Sequence, residues 1–185
     1  AMESAELAYL RYQADRLLVS EAWYEIPLGR RNVGIKLIGV LQDEQRLPLL
    51  LQVIADRTSV GWLQRFFGGD FRHGGILRRN AVQYGIRMLR ACDTETREVL
   101  LGALAADPYF EVRSWAAQAL GEQFAFDDRI ERGLFAALDD RSPDVVIQAL
   151  WALGKIGRSA DLLQRLRLFY LHPNWQFRHG VILAL

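Results

Sequence analysis

Residues 107–121 read Asp-Pro-Tyr-Phe-Glu-Val-Arg-Ser-Trp-Ala-Ala-Gln-Ala-Leu-Gly, and their pattern is that of one helix in a repeat. Asp107-Pro108 predicts a break before this helix, because proline lacks a backbone N–H and clashes with the preceding helical turn. Four apolar residues then share one face at helical spacing, namely Val112, Ala116, Ala119 and Leu120. We expect Gly121 to end the helix, since glycine accepts positive φ without steric cost. Ser114, Ala117 and Gln118 are expected to point outward.

The same pattern returns along the chain at nearly constant intervals. Val145 stands where Val112 stood, one interval later, and Phe177 follows Val145 at almost the same interval. Upstream, Leu77 fits the frame at a slightly longer interval before Val112. Residues 29–34 share an Arg-Arg-Asn with residues 77–82, at a clearly longer interval than the others. These intervals predict about five units of one repeat, with an insertion of roughly 15 residues in the long interval.

Each unit has the pattern of a helix, a short turn and a second helix. Neither helix can bury its apolar face alone, so neighbouring units must stack. The predicted fold is all-α: a right-handed α-solenoid, or superhelix, of stacked antiparallel helix pairs. We expect one domain over 1–185, with a capping helix at 3–20 and repeats at 29–57, 58–93, 94–126, 127–158 and 159–185; the insertion is 58–72. Helix caps are expected at Asp93, Asp127 and Ser159.

Composition limits the cellular setting. The chain has 185 residues, is 51% hydrophobic and carries a formal net charge of +1. A single cysteine, Cys92, excludes a disulfide within the chain and suits a reducing compartment. No apolar run approaches the ~20 residues of a membrane span, and the N-terminus does not have the layout of a signal peptide. We therefore expect a cytoplasmic protein with no membrane partner.

The repeat resembles a known family. Asp107-Pro108, Val112-Arg113, Ala116 and Ala119-Leu120-Gly121 are similar to the consensus of short HEAT-like repeats, the type also found in phycobilin lyases. The resemblance covers nearly the whole chain beyond the first helix. It implies a scaffold with a concave binding face. The chain departs from the pattern at Val146, where an arginine is expected, and at residues 58–71, which have no counterpart.

Catalytic signatures are missing from the sequence. It contains no phosphate-binding glycine loop, no Gly-x-Ser-x-Gly and no His-Glu-x-x-His. The histidines His73, His172 and His179 lack cysteine or carboxylate partners at metal spacing, so we interpret them as turn and surface residues. We expect no enzyme activity, no catalytic residue, no cofactor and no metal.

The candidate binding residues lie on the outer side of each second helix, which is basic early in the chain and apolar late. They are Arg30, Arg31, Arg78, Arg79, Arg113, Val146, Ile147, Trp151, Arg178 and Leu183. The alternative for Arg113 is structural, because Asp107 can pair with it or with Arg78 in a ladder between repeats. The alternative for Ile147 and Trp151 is burial between neighbouring second helices.

These features favour a non-enzymatic protein-binding scaffold with a concave helical face. Residues 181–185 begin a repeat helix but contain no glycine stop. The sequence therefore predicts either a longer array or self-association of this uncapped C-terminal repeat with another copy. A nucleic-acid-binding solenoid of the DNA glycosylase kind is the alternative, which the net charge near zero disfavours. A function like that of a bilin lyase ranks below both, since it has only the fold behind it.

Overall fold

A computed structural model describes residues 4–18, 26–56, 70–156 and 160–184, and every regular element in these ranges is helical. The predicted all-α class is therefore confirmed for them. The α-helices are α1 Ser4–Leu18, α2 Leu28–Val40, α3 Leu47–Ala55, α4 Asp70–Asn80, α5 Arg87–Leu89, α6 Thr94–Ala106, α7 Phe110–Gln123, α8 Asp128–Ala137, α9 Pro143–Ile156, α10 Ala160–Tyr170 and α11 Trp175–Ala184. A 3-10 turn, Glu44–Arg46, precedes α3, and a π-helical segment, Ala81–Ile86, joins α4 to α5. None of the described helices has the length and apolar character needed to cross a bilayer.

The chain forms two compact units, Ala1–Ala91 and Cys92–Leu185. Their boundary lies close to the expected one between the repeats at 58–93 and 94–126. The single domain over 1–185 stays a prediction. Most of the expected insertion, residues 58–69, lies outside the described residues, as does the expected cap Ser159.

In the first unit, α1 packs against α2 and buries Ala14. The side chain of Arg46 joins α1 to the 3-10 turn, since it forms ion pairs with Asp15 and Asp43. The helix α4 begins at Asp70 and continues to Asn80. Gly74 and Gly75 thus lie inside a helix, where tertiary packing outweighs the cost of about 1 kcal/mol that glycine adds to a helix interior.

The second unit consists of three helix pairs joined by short turns, α6 with α7, α8 with α9 and α10 with α11. The second helices of these pairs stack in the order α7, α9, α11, and α9 makes its most extensive contacts with these two neighbours. The predicted core face of α7 is confirmed, because Val112, Ala116, Ala119 and Leu120 are all fully buried. Ala117 was expected to point outward and is also fully buried. That prediction was wrong because a second-helix neighbour covers a side of α7 that an isolated pair would leave open.

The prediction that Gly121 ends its helix was also wrong. The helix α7 continues to Gln123, and the equivalent Gly154 lies inside α9. A Cβ added at Gly121 would lie 2.6 Å from both Cα and Cβ of Ala152. At Gly154 it would overlap the backbone of Ala184. These two glycines therefore allow successive second helices to approach closely, and neither serves as a stop.

Both described helix caps are confirmed. The carboxylate of Asp93 accepts hydrogen bonds from the Thr96 backbone N–H, at 2.9 Å, and from the Thr96 hydroxyl, at 2.6 Å. Asp127 accepts from the backbone N–H groups of Arg129 and Ile130. Burial tends to raise the pKa of Asp93, but the bonds from Thr96 and nearby backbone N–H groups bring it below its ordinary value.

Asp93→Ala is expected to lower the free energy of unfolding by about 1 kcal/mol at pH 7, because two donors in the first turn of α6 lose their acceptor. The folded-state pKa is depressed, so this stability is present above the ordinary aspartate pKa of 3.8 and is lost as the pH falls through the lower folded value. Urea denaturation at pH 7 and at acid pH measures both effects. Asp139→Ala, which removes an exposed turn carboxylate, is the control. Equal losses from the two substitutions would contradict the capping role.

Candidate protein-binding face

Arg113, one of the candidate binding residues, forms an ion pair between repeats. Its guanidinium donates to both carboxylate oxygens of Asp140, at 2.7 and 2.8 Å, and to the Asp107 backbone carbonyl at 2.7 Å. The side chains of Arg113 and Asp140 are only 15% and 12% exposed. Asp140 precedes α9 as Asp107 precedes α7, one repeat earlier. The structure therefore places Arg113 in the expected ladder, but its carboxylate partner comes from the following repeat.

The electrostatics of the pair follow from this geometry. The hydrogen bonds to Asp140 raise the pKa of Arg113 above its ordinary value, against an opposing effect of burial. Burial also tends to raise the pKa of Asp140, but the bonds from Arg113 and from the Ser142 backbone N–H bring it below 3.8. Both groups are thus charged at neutral pH, and the contact has the bidentate form that arginine makes with carboxylates.

The next junction replaces both members of this pair. Val146 stands at the position of Arg113, and His172 stands at the position of Asp140. Val146 is buried, and α9 meets α11 through Leu150 and Gly180. The contact between α9 and α11 is therefore apolar where the contact between α7 and α9 includes an ion pair. Because Val146 is buried, it is not available to a binding partner.

The four early arginines occupy different environments in the first unit. Arg31 and Arg78 are each only 8% exposed, and Arg78 donates to the Asp56 carbonyl at 3.4 Å. Arg30 is exposed, and Arg79 is half-buried with its Nε 3.1 Å from the Asn80 side-chain oxygen. Burial leaves only Arg30 and Arg79 accessible to a partner, and their part in binding stays a prediction.

The Arg-Arg-Asn shared by the two early units has a structural use that sequence reasoning missed. The side-chain amide of Asn80 donates to the side-chain oxygen of Asn32 at 2.9 Å, and Asn80 is buried. The interval from Asn32 to Asn80 also separates Lys36 from Tyr84, and the Lys36 ammonium lies 4.6 Å from the centre of the Tyr84 ring. Equivalent positions on α2 and on the helical segment 70–89 therefore contact each other. The repeated interval is the signal that could have predicted both contacts.

The apolar candidates on α9 are only partly exposed. Ile147 is half-buried, and its Cα lies 3.9 Å from where a Cβ on Gly180 would be. Trp151 is half-buried too, and the ammonium of Lys155 lies 4.0 Å from the centre of its ring. The spacing of four residues from Trp151 to Lys155 on one helix could have predicted this cation–π contact. The side chain of Leu183 lies outside the described residues.

Further ion pairs join the first helices of the second unit. Arg97 on α6 pairs with Asp127 in the turn before α8, at 2.8 Å. Arg129 on α8 pairs with Glu98 on α6, at 2.7 Å. Several arginines in this unit thus connect one helix pair to the next, as Arg113 does.

The fold of the second unit defines a class, that of proteins built from stacked helix pairs. Residues 97–185 match the family model of HEAT repeats, so this part of the chain belongs to the HEAT repeat family. The predicted resemblance is confirmed over these residues. Comparison with curated proteins finds no match. Within the part of the chain that the structure describes, no group of three or more histidine, cysteine or acidic residues is placed to hold a metal ion.

Proposed function

We propose that the chain is a non-enzymatic, cytoplasmic scaffold that binds a protein partner through the second helices of its HEAT repeats. The binding region is the Trp151 surface, defined here as Gln118, Ile147, Gln148, Trp151 and Lys155. The observation that carries the proposal is the partial exposure of Trp151 and Ile147 on α9, a helix whose other large apolar residues are buried.

The chemistry of this surface suits a protein partner. Tryptophan is enriched among residues that dominate binding energy, since it buries a large area at low cost in side-chain entropy. The flexible Lys155 covers one face of the ring in the free protein and can move to a carboxylate of the partner. Gln148 precedes Trp151 by about one helical turn, and Gln118 holds the position equivalent to Trp151 on α7, where its amide donates to the Glu122 carboxylate at 2.8 Å. The Gln118 side-chain oxygen and the Gln148 amide offer hydrogen bonds around the aromatic anchor. An apolar centre with a polar margin is the usual anatomy of a protein interface.

The nucleic-acid alternative receives less support. Arg31 and Arg78 are buried, and Arg113 is held by Asp140, so three of the predicted basic contacts are engaged inside the protein. Phosphate binding depends on several accessible cations acting together. A salt titration with single-stranded DNA separates the alternatives, since tight binding at low salt that weakens steeply with added salt would favour a nucleic-acid ligand.

Trp151→Ala is expected to weaken the partner's affinity by about thirtyfold, the effect of losing a hot spot of about 2 kcal/mol. A photo-crosslinking residue at position 118 identifies the partner by mass spectrometry, and the same residue at the exposed Glu95 of α6 reports background. The affinity of the purified partner is then measured for the wild type, for Trp151→Ala and for the control Tyr9→Ala.

Tyr9→Ala is the matched control, because Tyr9 is an exposed aromatic residue on α1 in the other unit. It is expected to leave the affinity unchanged. Equal affinity of the wild type and Trp151→Ala, with the helical content retained, would contradict the proposal.

A further inference from the structure

The helix α11 presents an arginine in the same setting as Arg113. Arg178 stands two repeats after Arg113, at the equivalent position. Its guanidinium donates to the His172 carbonyl at 2.6 Å and to the Pro173 carbonyl at 2.9 Å. The first of these bonds reproduces the one from Arg113 to the Asp107 carbonyl, which is 2.7 Å long. Arg178 is therefore tethered to its own turn as Arg113 is.

The difference lies in the other side of the guanidinium. In Arg113, Nε and the second terminal nitrogen bind the two oxygens of Asp140. No carboxylate of the described residues forms an ion pair with Arg178. A guanidinium held at one end by backbone carbonyls keeps its remaining donors in a fixed fork, the geometry that matches a carboxylate.

An apolar residue of α11 also lies open at a position that is covered on α7 and α9. Ala117 on α7 and Leu150 on α9 are both fully buried where the next second helix covers them. Ile182 occupies their position on α11 and is 64% exposed. Trp175, one turn before Arg178, is also 64% exposed, and its ring lies 6.4 Å from that of His179. The position of Ile182, which receives a following helix on α7 and α9, is thus open on α11.

We propose that this α11 face, defined as Trp175, Arg178, His179 and Ile182, binds a second protein through an acidic turn that leads into an amphipathic helix. The contact between α7 and α9 is the template. There the carboxylate of Asp140, in the turn just before α9, meets the arginine fork, and Ala152 of α9 packs against Gly121 farther along α7. The partner's carboxylate takes the place of Asp140 on Arg178, and the apolar side of its helix covers Ile182 and Trp175.

A protein helix fits this face better than a phosphate ligand does. A phosphate would engage Arg178 but would leave Ile182 and Trp175 in water, and exposed apolar groups of this size on one helix face normally mark protein contacts. The α11 face is separate in composition from the Trp151 surface. The scaffold proposal can therefore fail at Trp151 while the α11 face still binds its ligand, and the reverse is equally possible.

The test uses the full chain and a peptide copy of the template turn and helix. The probe is a fluorescein-labelled peptide of residues 139–156, held helical by a hydrocarbon staple between positions 148 and 155. Two control peptides carry Asp139→Asn or Asp140→Asn and have equal net charge. In fluorescence anisotropy, the Asp139→Asn peptide is expected to bind as the parent does, and the Asp140→Asn peptide at least tenfold more weakly.

The protein variants complete the test. Arg178→Gln is expected to abolish the preference for Asp140, while Arg167→Gln, at an exposed arginine on α10, keeps it. Circular dichroism checks that both variants remain folded. The proposal is overturned if the two asparagine peptides bind equally, if Arg178→Gln retains the preference, or if no peptide binds at millimolar concentration. Tighter binding of a single-stranded DNA oligonucleotide than of the parent peptide, lost in Arg178→Gln, would also overturn it.

Discussion

Gly121→Ala is expected to lower the free energy of unfolding by about 2 kcal/mol, although alanine is the better helix former. The added methyl would lie 2.6 Å from Cα and Cβ of Ala152, so α7 and α9 would have to separate along their contact. Overpacking of this kind costs about 1–3 kcal/mol or more, and the gain in helix propensity offsets only about 1 kcal/mol of it.

Gly102→Ala is the matched control, because Gly102 also lies inside a helix but a Cβ added there would meet nothing within 4 Å. This substitution is expected to stabilise the protein by up to about 1 kcal/mol. Urea denaturation followed by circular dichroism measures both variants. Stabilisation by alanine at both glycines would show that Gly121 is not a close-approach position.

Arg113→Met is expected to lower the free energy of unfolding by about 3 kcal/mol, since it leaves the mostly buried carboxylate of Asp140 without its cation. Arg141→Met provides the control, because it removes the same charge from an exposed neighbour of Asp140 and should change stability by less than about 0.5 kcal/mol. The double variant Arg113→Met with Asp140→Leu should recover much of the loss, as replacing both partners avoids a buried unpaired charge. A double variant less stable than the sum of the single changes would contradict this account.

The pH dependence of this pair has a definite sign. The folded-state pKa of Asp140 is depressed below 3.8, so its contribution to stability is present above that value and is lost as the pH falls through the lower folded pKa. The difference in stability between the wild type and Asp140→Asn is therefore expected to be full at neutral pH and to narrow in acid. Denaturation curves collected from pH 7 downward measure this difference. A stability difference that does not change with pH would show that the ion pair is not the cause of the difference.

The sequence by itself determined the local structure of the repeats. The spacing of Val112, Val145 and Phe177 placed three second helices correctly, and Asp93 and Asp127 were recognised as caps. These features could be predicted because proline, capping aspartates and helical periodicity act on the backbone within a few residues of themselves. Their effect does not depend on which helix lies alongside.

The tertiary structure alone decided how those helices meet and which candidate residues remain open. Gly121 became a contact point and Ala117 a core residue because α9 lies against α7. Arg113 pairs with Asp140 of the following repeat, and Arg31 and Arg78 are buried. The sequence pattern had made all three arginines candidates for an exposed basic surface. Each outcome depends on residues that are distant in the sequence and brought together by stacking. A helical pattern specifies which face is apolar, but the partner on each side is selected by packing between helices.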